Sequence, residues 1–244
     1  MYSFDHDRGI ASITARRDHV AYGMGLGIML LDDVYPGFPG DVRNASAFPF
    51  PIQYDIVAGI DIQQLVFHPD KTPCLAPILA AAKRLERIGC RAIAAECGYF
   101  AYFQREVAAA VSVPVFMSSL LQVPLAQQLV GAGNLVGIDP GSNIVIAGAM
   151  DEYACPEFDN LWNAEVRPAA PGANYQKSEA DLIALCKDFK KKHPAMRALV
   201  FECTGFQPFA RAVQREVDLP IFTWSTLLDF AYSVVVHRDF YGHV

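Results

Sequence analysis

The chain writes one short pattern twice. A run of strand character ends in Ala95-Glu96-Cys97-Gly98-Tyr99, and a second ends in Phe201-Glu202-Cys203-Thr204-Gly205. A helical stretch follows each cysteine, and then a short strand headed by proline: Val113-Pro114-Val115-Phe116 and Leu219-Pro220-Ile221-Phe222. From cysteine to proline is 17 positions in both copies, and Ser119 and Ser225 each lie 22 positions past their cysteine. Several matches in register imply an internal duplication with one thiol per half.

A chain of 244 residues accommodates two such units of roughly 100 to 120 residues each. With 52% hydrophobic and 19% charged residues, it can bury a substantial core. Val20 to Leu31 is the continuous apolar run of a buried parallel strand, and Gln53 to Ile60 reads as a second strand. Pro73 opens a helix with Leu75, Ile78, Leu79, Ala82 and Leu85 at helical spacing, which Gly89 ends. A helix is expected over 99–111. Leu120 to Val130 reads as a linking helix bent near Pro124. Leu135-Val136-Gly137-Ile138 echoes Gly25-Leu26-Gly27-Ile28 and opens the second half. Asp151 to Gly172 reads as irregular. Ser178 and Asp181 form a capping-box-like start to a helix through Lys192, and a last helix spans Ser225 to Val236.

Strands alternating with helices predict an α/β fold: two similar parallel-sheet lobes related by a pseudo-dyad, with the active site in the cleft between them. The expected boundaries are 1–119 for the first lobe and 120–224 for the second, with residues 225–244 returning to the first.

Several classes are disfavoured. A net charge of −6 argues against nucleic acid as a partner. The longest apolar run near the start is too short to span a bilayer, so no membrane association is expected. Met1 to Asp18 lacks the layout of a signal peptide, so the expected location is cytoplasmic. None of the six cysteines forms a C-x-x-C pair, and no metal site is expected. Gly23, Gly25 and Gly27 do not form the dinucleotide fingerprint, and no cofactor is expected. A homo-oligomer is allowed but not required.

A thiol at a strand end with a helix starting next lies near unpaired amides, which predicts a lowered pKa for Cys97 and Cys203. Alternation along the strand turns Glu96 away from Cys97 and Glu202 away from Cys203, toward structural roles. The long loop from Asp32 to Asn44 falls at a strand's carboxyl end, where ligands sit in parallel sheets. In it Asp41, Arg43 and Asn44 are candidates to contact a substrate carboxylate. Two thiols facing each other across a cleft suit proton removal from a carbon acid and its return on the opposite face.

The duplicated strand–cysteine–helix pattern resembles the Asp/Glu/hydantoin racemase superfamily. The segment Pro39-Gly40-Asp41-Val42-Arg43-Asn44 with Phe48-Pro49-Phe50-Pro51 is similar to a PGD-V-x-N … F-x-F-P signature of one branch of it. The resemblance implies a cofactor-independent mechanism with Cys97 and Cys203 catalytic and a small carboxylate-bearing substrate. It implies Gly98, Tyr99, Ser118, Ser119, Thr204 and Gly205 as substrate contacts. The family's racemases usually follow the first cysteine with Asn-Thr and often the second with Thr-His or Thr-Glu, where this chain has Gly98-Tyr99 and Thr204-Gly205. The expected activity is racemisation or epimerisation of an amino acid or hydantoin-like substrate. The alternatives are a decarboxylase or maleate-type cis–trans isomerase of the same superfamily, or a two-lobed binding protein without catalysis.

Overall fold

The computed structural model of the chain describes residues 14–131, 133–137, 156–162 and 168–238. Strands β1 (Leu26–Leu31), β2 (Ile52–Val57), β3 (Ala92–Ala95) and β4 (Val115–Phe116) form one parallel sheet in the order β2-β1-β3-β4. Strands β5 (Leu135–Gly137), β6 (Met196–Val200) and β7 (Ile221–Phe222) form a second, in the order β5-β6-β7. The helices are α1 (Leu75–Ile88), α2 (Gln104–Ala110), α3 (Val123–Val130), α4 (Pro156–Trp162), α5 (Tyr175–Lys192), α6 (Ala210–Val217) and α7 (Trp224–Val235).

All six residues of β1 are buried, because helices cover both faces of its sheet. Met29 and Leu31 point to the side of α1, with Ile78, Ala81, Ala82 and Leu85. Leu26, Ile28 and Leu30 point the other way, onto Trp224, Leu227, Leu228 and Ala231 of α7. In the second half, Ala126 of α3 packs on Val136, Ala198 and Val200. The helix that follows β4 thus covers the second sheet, and the helix that follows β7 covers the first.

The duplication is visible residue by residue. Ile93 and Ala94 pair with Val115 and Phe116, and Leu199 and Val200 pair with Ile221 and Phe222, each 106 positions later. Helices α2 and α6 begin at Gln104 and Ala210, the same interval apart. Gly27 lies opposite Ile93 and Gly137 opposite Leu199, so the two glycines are counterparts. Both let a helix sit close on the sheet. A Cβ at Gly27 would lie 2.9 Å from Leu85 Cβ, and one at Gly137 would lie 2.7 Å from a ring carbon of Phe189.

Some local expectations change. The stretch after each cysteine begins as a 3-10 segment, Gly98–Phe103 and Thr204–Phe209, before turning α-helical. Pro124 sits in the first turn of α3, where its missing amide costs no hydrogen bond, so it starts the helix instead of bending it. Asn174 caps α5, its side chain accepting from the Lys177 amide at 3.1 Å, and Ser178 lies buried inside the first turns. Helix α4 occupies part of the stretch expected to be irregular. Ile138 and the residues at either end of the chain expected to join the lobes, 1–13 and 239–244, lie outside the described residues. Among the described residues no helix is long and apolar enough to cross a membrane.

Candidate active site

Each cysteine is the last extended residue before a 3-10 segment, so both thiols sit where a parallel strand hands over to a helix. The Tyr99 amide donates to the Cys97 sulfur, as expected of an amide at a helix start. The pKa of Cys97 nevertheless goes up, well above the ordinary thiol value, and not down. Burial is the largest cause, the Glu202 carboxylate the next, and the Cys203 thiol contributes in the same direction. One amide from a short 3-10 segment does not outweigh desolvation plus a neighbouring negative charge. The same electrostatics place Glu202 and Cys203, both from the second half, within reach of Cys97.

The junction between the halves is stitched by side chains from either side. Ser119 Oγ donates to the Phe201 carbonyl at 2.8 Å, and Trp224 Nε1 donates to the Glu202 carbonyl at 2.6 Å. Gln122 Nε2 donates to the Thr223 carbonyl at 2.9 Å, and Thr226 Oγ1 donates to Gln122 Oε1 at 2.7 Å. Gln207 donates to the Gly40 carbonyl, and Gly40, at φ 101°, lies against Pro208. The strand end carrying Cys203 is therefore held by Ser119 of the first half and by Trp224 at the start of α7.

The two glutamates beside the thiols have diverged. Glu96, buried at the end of β3, behaves as strand alternation predicts and turns away from its cysteine. Its carboxylate takes Arg43 in a two-point pair, with Nε donating to Oε2 at 2.7 Å and Nη2 to Oε1, and it accepts from the Tyr35 hydroxyl at 2.8 Å and the Leu31 amide. Arg43 also donates to the carbonyls of Leu31 (3.0 Å) and Asp33, and stacks on the Tyr35 ring at 4.2 Å. Glu202 instead crosses to the other half. Its Oε1 lies 1.4 Å, and its carboxyl carbon 2.0 Å, from the point a Cβ on Gly98 would occupy.

The remaining candidate contacts are distributed unevenly. Arg43 is committed to Glu96 and to backbone, so the structure gives it a loop-holding role. Asn44 donates to the Gly37 carbonyl at 3.0 Å and accepts from Ser46, closing a turn. Asp41 is buried, accepts from the Arg43 amide at 2.8 Å, and has its pKa pushed up to about 6, chiefly by burial. Ser118 accepts from the Leu120 amide as a helix cap. Gly98, Thr204 and Gly205, next to the thiols in sequence, are buried, as is Ser119, whereas Tyr99 is 48% exposed. Phe206 packs on Phe158 and Phe201, at 5.0 and 5.7 Å between ring centres. Sequence reasoning missed Tyr35 and Gln207. Neither carries a local signal, since their partners lie 61 and 167 positions away.

A small cavity of about 40 Å³ opens beside the second thiol, lined by Phe201, Glu202, Cys203, Phe206 and the α5 side chains Leu185 and Phe189. A larger one of about 330 Å³ lies along Asp32, Asp33 and Asp61 and has no thiol in its lining. There Asp32 and Asp33 accept from the amides of Gly59 and Ile62, so their carboxylates shape loops. Among the described residues no group of three or more His, Cys, Asp or Glu side chains is arranged to hold a metal ion.

The two parallel α/β units have the fold of solved structures of arylmalonate decarboxylase and of an aspartate racemase homologue. A variant of arylmalonate decarboxylase with associated sulfate superposes with a TM-score of 0.56 at 12% identity, covering 86% of this chain and 92% of its own. An aspartate racemase homologue from Pyrococcus horikoshii OT3 gives 0.52 at 16% identity, covering 86% and 98%. No protein-family model matches the chain. By sequence it is similar to dimethylsulfoniopropionate lyase 3 of Emiliania huxleyi, 28% identical over 249 residues, and to the dimethylsulfoniopropionate lyase of Durusdinium sp. clade D, 26% identical over 237 residues. The alignments take in 91% and 89% of this chain, but 63% and 77% of those proteins.

Proposed function

We propose that the chain is a cofactor-independent lyase that removes a proton α to a carboxylate with a cysteine thiolate and expels a leaving group from the β carbon. Dimethylsulfoniopropionate is the substrate this reading puts first. What supports it is an alignment over nine tenths of the chain with lyases of that name, in a chain whose Cys97 and Cys203 lie near enough for the second thiol to bear on the pKa of the first.

The chemistry balances on one base. The thiolate takes the α proton, the C–H electron pair becomes the double bond of acrylate, and the C–S pair departs on neutral dimethyl sulfide. The captured proton is then released to solvent. The leaving group needs no acid, so elimination requires one thiol, and the second is available to position the substrate or to hold a proton. The substrate carboxylate is assigned to the amides that open the segments at Gly98 and Thr204, with the Thr204 hydroxyl beside them. Ser118 and Ser119 support those segments, and Asp41, Arg43 and Asn44 hold the loop over them.

A second reading, racemisation or epimerisation, is favoured by the duplication itself: inversion needs a base on each face, and two thiols supply them. Decarboxylation would use a single thiol as proton donor. One experiment separates the three. The protein is incubated in D₂O with dimethylsulfoniopropionate, with chiral amino acids and with substituted malonates, and dimethyl sulfide, solvent deuterium at the stereocentre and carbon dioxide are followed. Dimethyl sulfide release, reduced about 100-fold or more when the thiol acting as base is changed to serine and less when the other one is, is the expected outcome. Deuterium incorporation without elimination would replace the lyase reading with racemisation, and carbon dioxide release would replace it with decarboxylation.

A further inference from the structure

We propose that the loop from Asp32 to Asn44 is a strap that closes over the two thiols, with Phe38 as the latch that seats it on the second half. The inference rests on the reading above for the thiols being the site, but not for the reaction they perform.

The loop is fastened at two places, one beside each thiol in sequence. Its base holds the residue before Cys97: Arg43 takes Glu96 in a two-point pair, with Nε donating to Oε2 at 2.7 Å, and the Tyr35 hydroxyl donates to the same carboxylate at 2.8 Å. Its tip reaches the 3-10 segment that follows Cys203. Phe38 meets the ring of Phe209 edge-on at 5.8 Å and that of Tyr175 at 5.3 Å. Gly40 lies against Pro208, and Gln207 donates to the Gly40 carbonyl. A loop of the first half thus runs from one thiol-bearing strand end to the other.

The two fastenings differ in strength. The base is a largely buried, charge-assisted pair that also uses the carbonyls of Leu31 and Asp33, and breaking it would strand charge away from water. The tip is one half-buried ring at the rim of the second core, where its neighbour Tyr175 is 40% exposed. Gln207 also keeps its side-chain oxygen buried without a hydrogen-bond partner among the described residues, a desolvation cost that water relieves once the tip lifts. The tip is built to move as one piece: the Phe38 carbonyl accepts from the Asp41 amide at 2.8 Å, and the Gly37 carbonyl from the Asn44 side chain at 3.0 Å. Release therefore falls at Phe38, while Arg43 stays in place as the pivot. With the strap down, Cys97 is kept from water, in keeping with burial being the main cause of its raised pKa.

The test reads access to Cys97 and needs no turnover. Iodoacetamide labelling of the peptide carrying Cys97 is timed by mass spectrometry, at one pH, in wild type, in Phe38→Ala and in Val217→Ala, which thins the same hydrophobic core at the far end of α6. Phe38→Ala is expected to be labelled about tenfold faster than wild type, and Val217→Ala at the wild-type rate. A lock tests the converse. A Cβ at Gly40 would lie 3.7 Å from Pro208 Cβ, so Gly40→Cys combined with Pro208→Cys meets the spacing of about 3.5–4.5 Å that a disulfide spans. The bridged form, its link confirmed by mass, should be labelled at Cys97 about tenfold more slowly than the same protein reduced, and should release no dimethyl sulfide until reductant restores it. Equal labelling of wild type and Phe38→Ala, or of the bridged and reduced forms, overturns the proposal. So does equal acceleration in Phe38→Ala and Val217→Ala, which would mean that loosening the core is enough. If labelling follows the strap as expected while no dimethyl sulfide appears in any form, the strap stands and the lyase reading falls.

Discussion

Asp41 shows how a residue in the loop over the site is tuned by burial. Its pKa rises from 3.8 to about 6, with burial the largest cause and the Arg43 amide opposing it. A carboxyl whose folded pKa is raised stabilises the fold while protonated. That contribution is complete below the unfolded value near ~3.9 and is lost as pH climbs through about 6. Two pKa units correspond to about 3 kcal/mol. Asp41→Asn keeps an oxygen for the Arg43 amide and removes the titration, so its stability relative to wild type is expected to improve by up to about 3 kcal/mol between pH 4 and pH 7. Urea denaturation across that range measures it, and a pH-independent difference would refute it. At this scale the sequence disclosed both thiols through their repeated spacing, and Glu96's outward turn through strand alternation. It did not disclose that Arg43 belongs to Glu96, 53 positions away, or that Glu202 reaches Gly98, because neither contact leaves a local pattern.

The elements were largely legible because hydrophobic period and punctuation agree. Gly89 ends α1 at φ 104°, and the apolar stripe of α1 packs on Met29 and Leu31 of the first sheet. The 3-10 segments after the thiols were not legible, since their aromatic stripe has the same look in either helix type. The paired glycines of β1 and β5 carry a prediction of this scale. Gly27→Ala and Gly137→Ala each place a methyl within 3 Å of a helix side chain, and each is expected to cost about 1–3 kcal/mol. Because the two sites are equivalent in the repeat, the costs should be similar in size, and equilibrium unfolding of each variant tests that. A cost within 0.5 kcal/mol of zero at either site would mean the helix there shifts freely (about the level of an ordinary surface substitution).

For the molecule as a whole, the sequence foretold two sheets and the return of the last helix to the first half, but not that the helix after β4 covers the second sheet in exchange. That follows only from which way the chain turns after β4 and β7, and both turns leave by a capped helix start. Trp224, Leu227 and Leu228 of α7 each contribute about 2 kcal/mol of burial on the first sheet, against a typical total margin of about 5–15 kcal/mol. Removing residues 224–244 should therefore unfold the first half as well as the second. Leu228→Ala should cost about 2–5 kcal/mol and lower one shared transition, in near-ultraviolet dichroism and fluorescence alike. Two separated transitions, with the first half unaffected, would contradict it.

The exchanged helices have one more consequence. A half-length chain with a single copy of the pattern would leave an oily sheet bare, and two such chains trading their last helices would cover both. In that pairing every substitution is made twice, so the acids beside the two thiols must stay alike. Joining the copies end to end lifts the constraint. Only in the fused chain can one glutamate be spent on an arginine latch while its twin crosses to the glycine beside the other thiol.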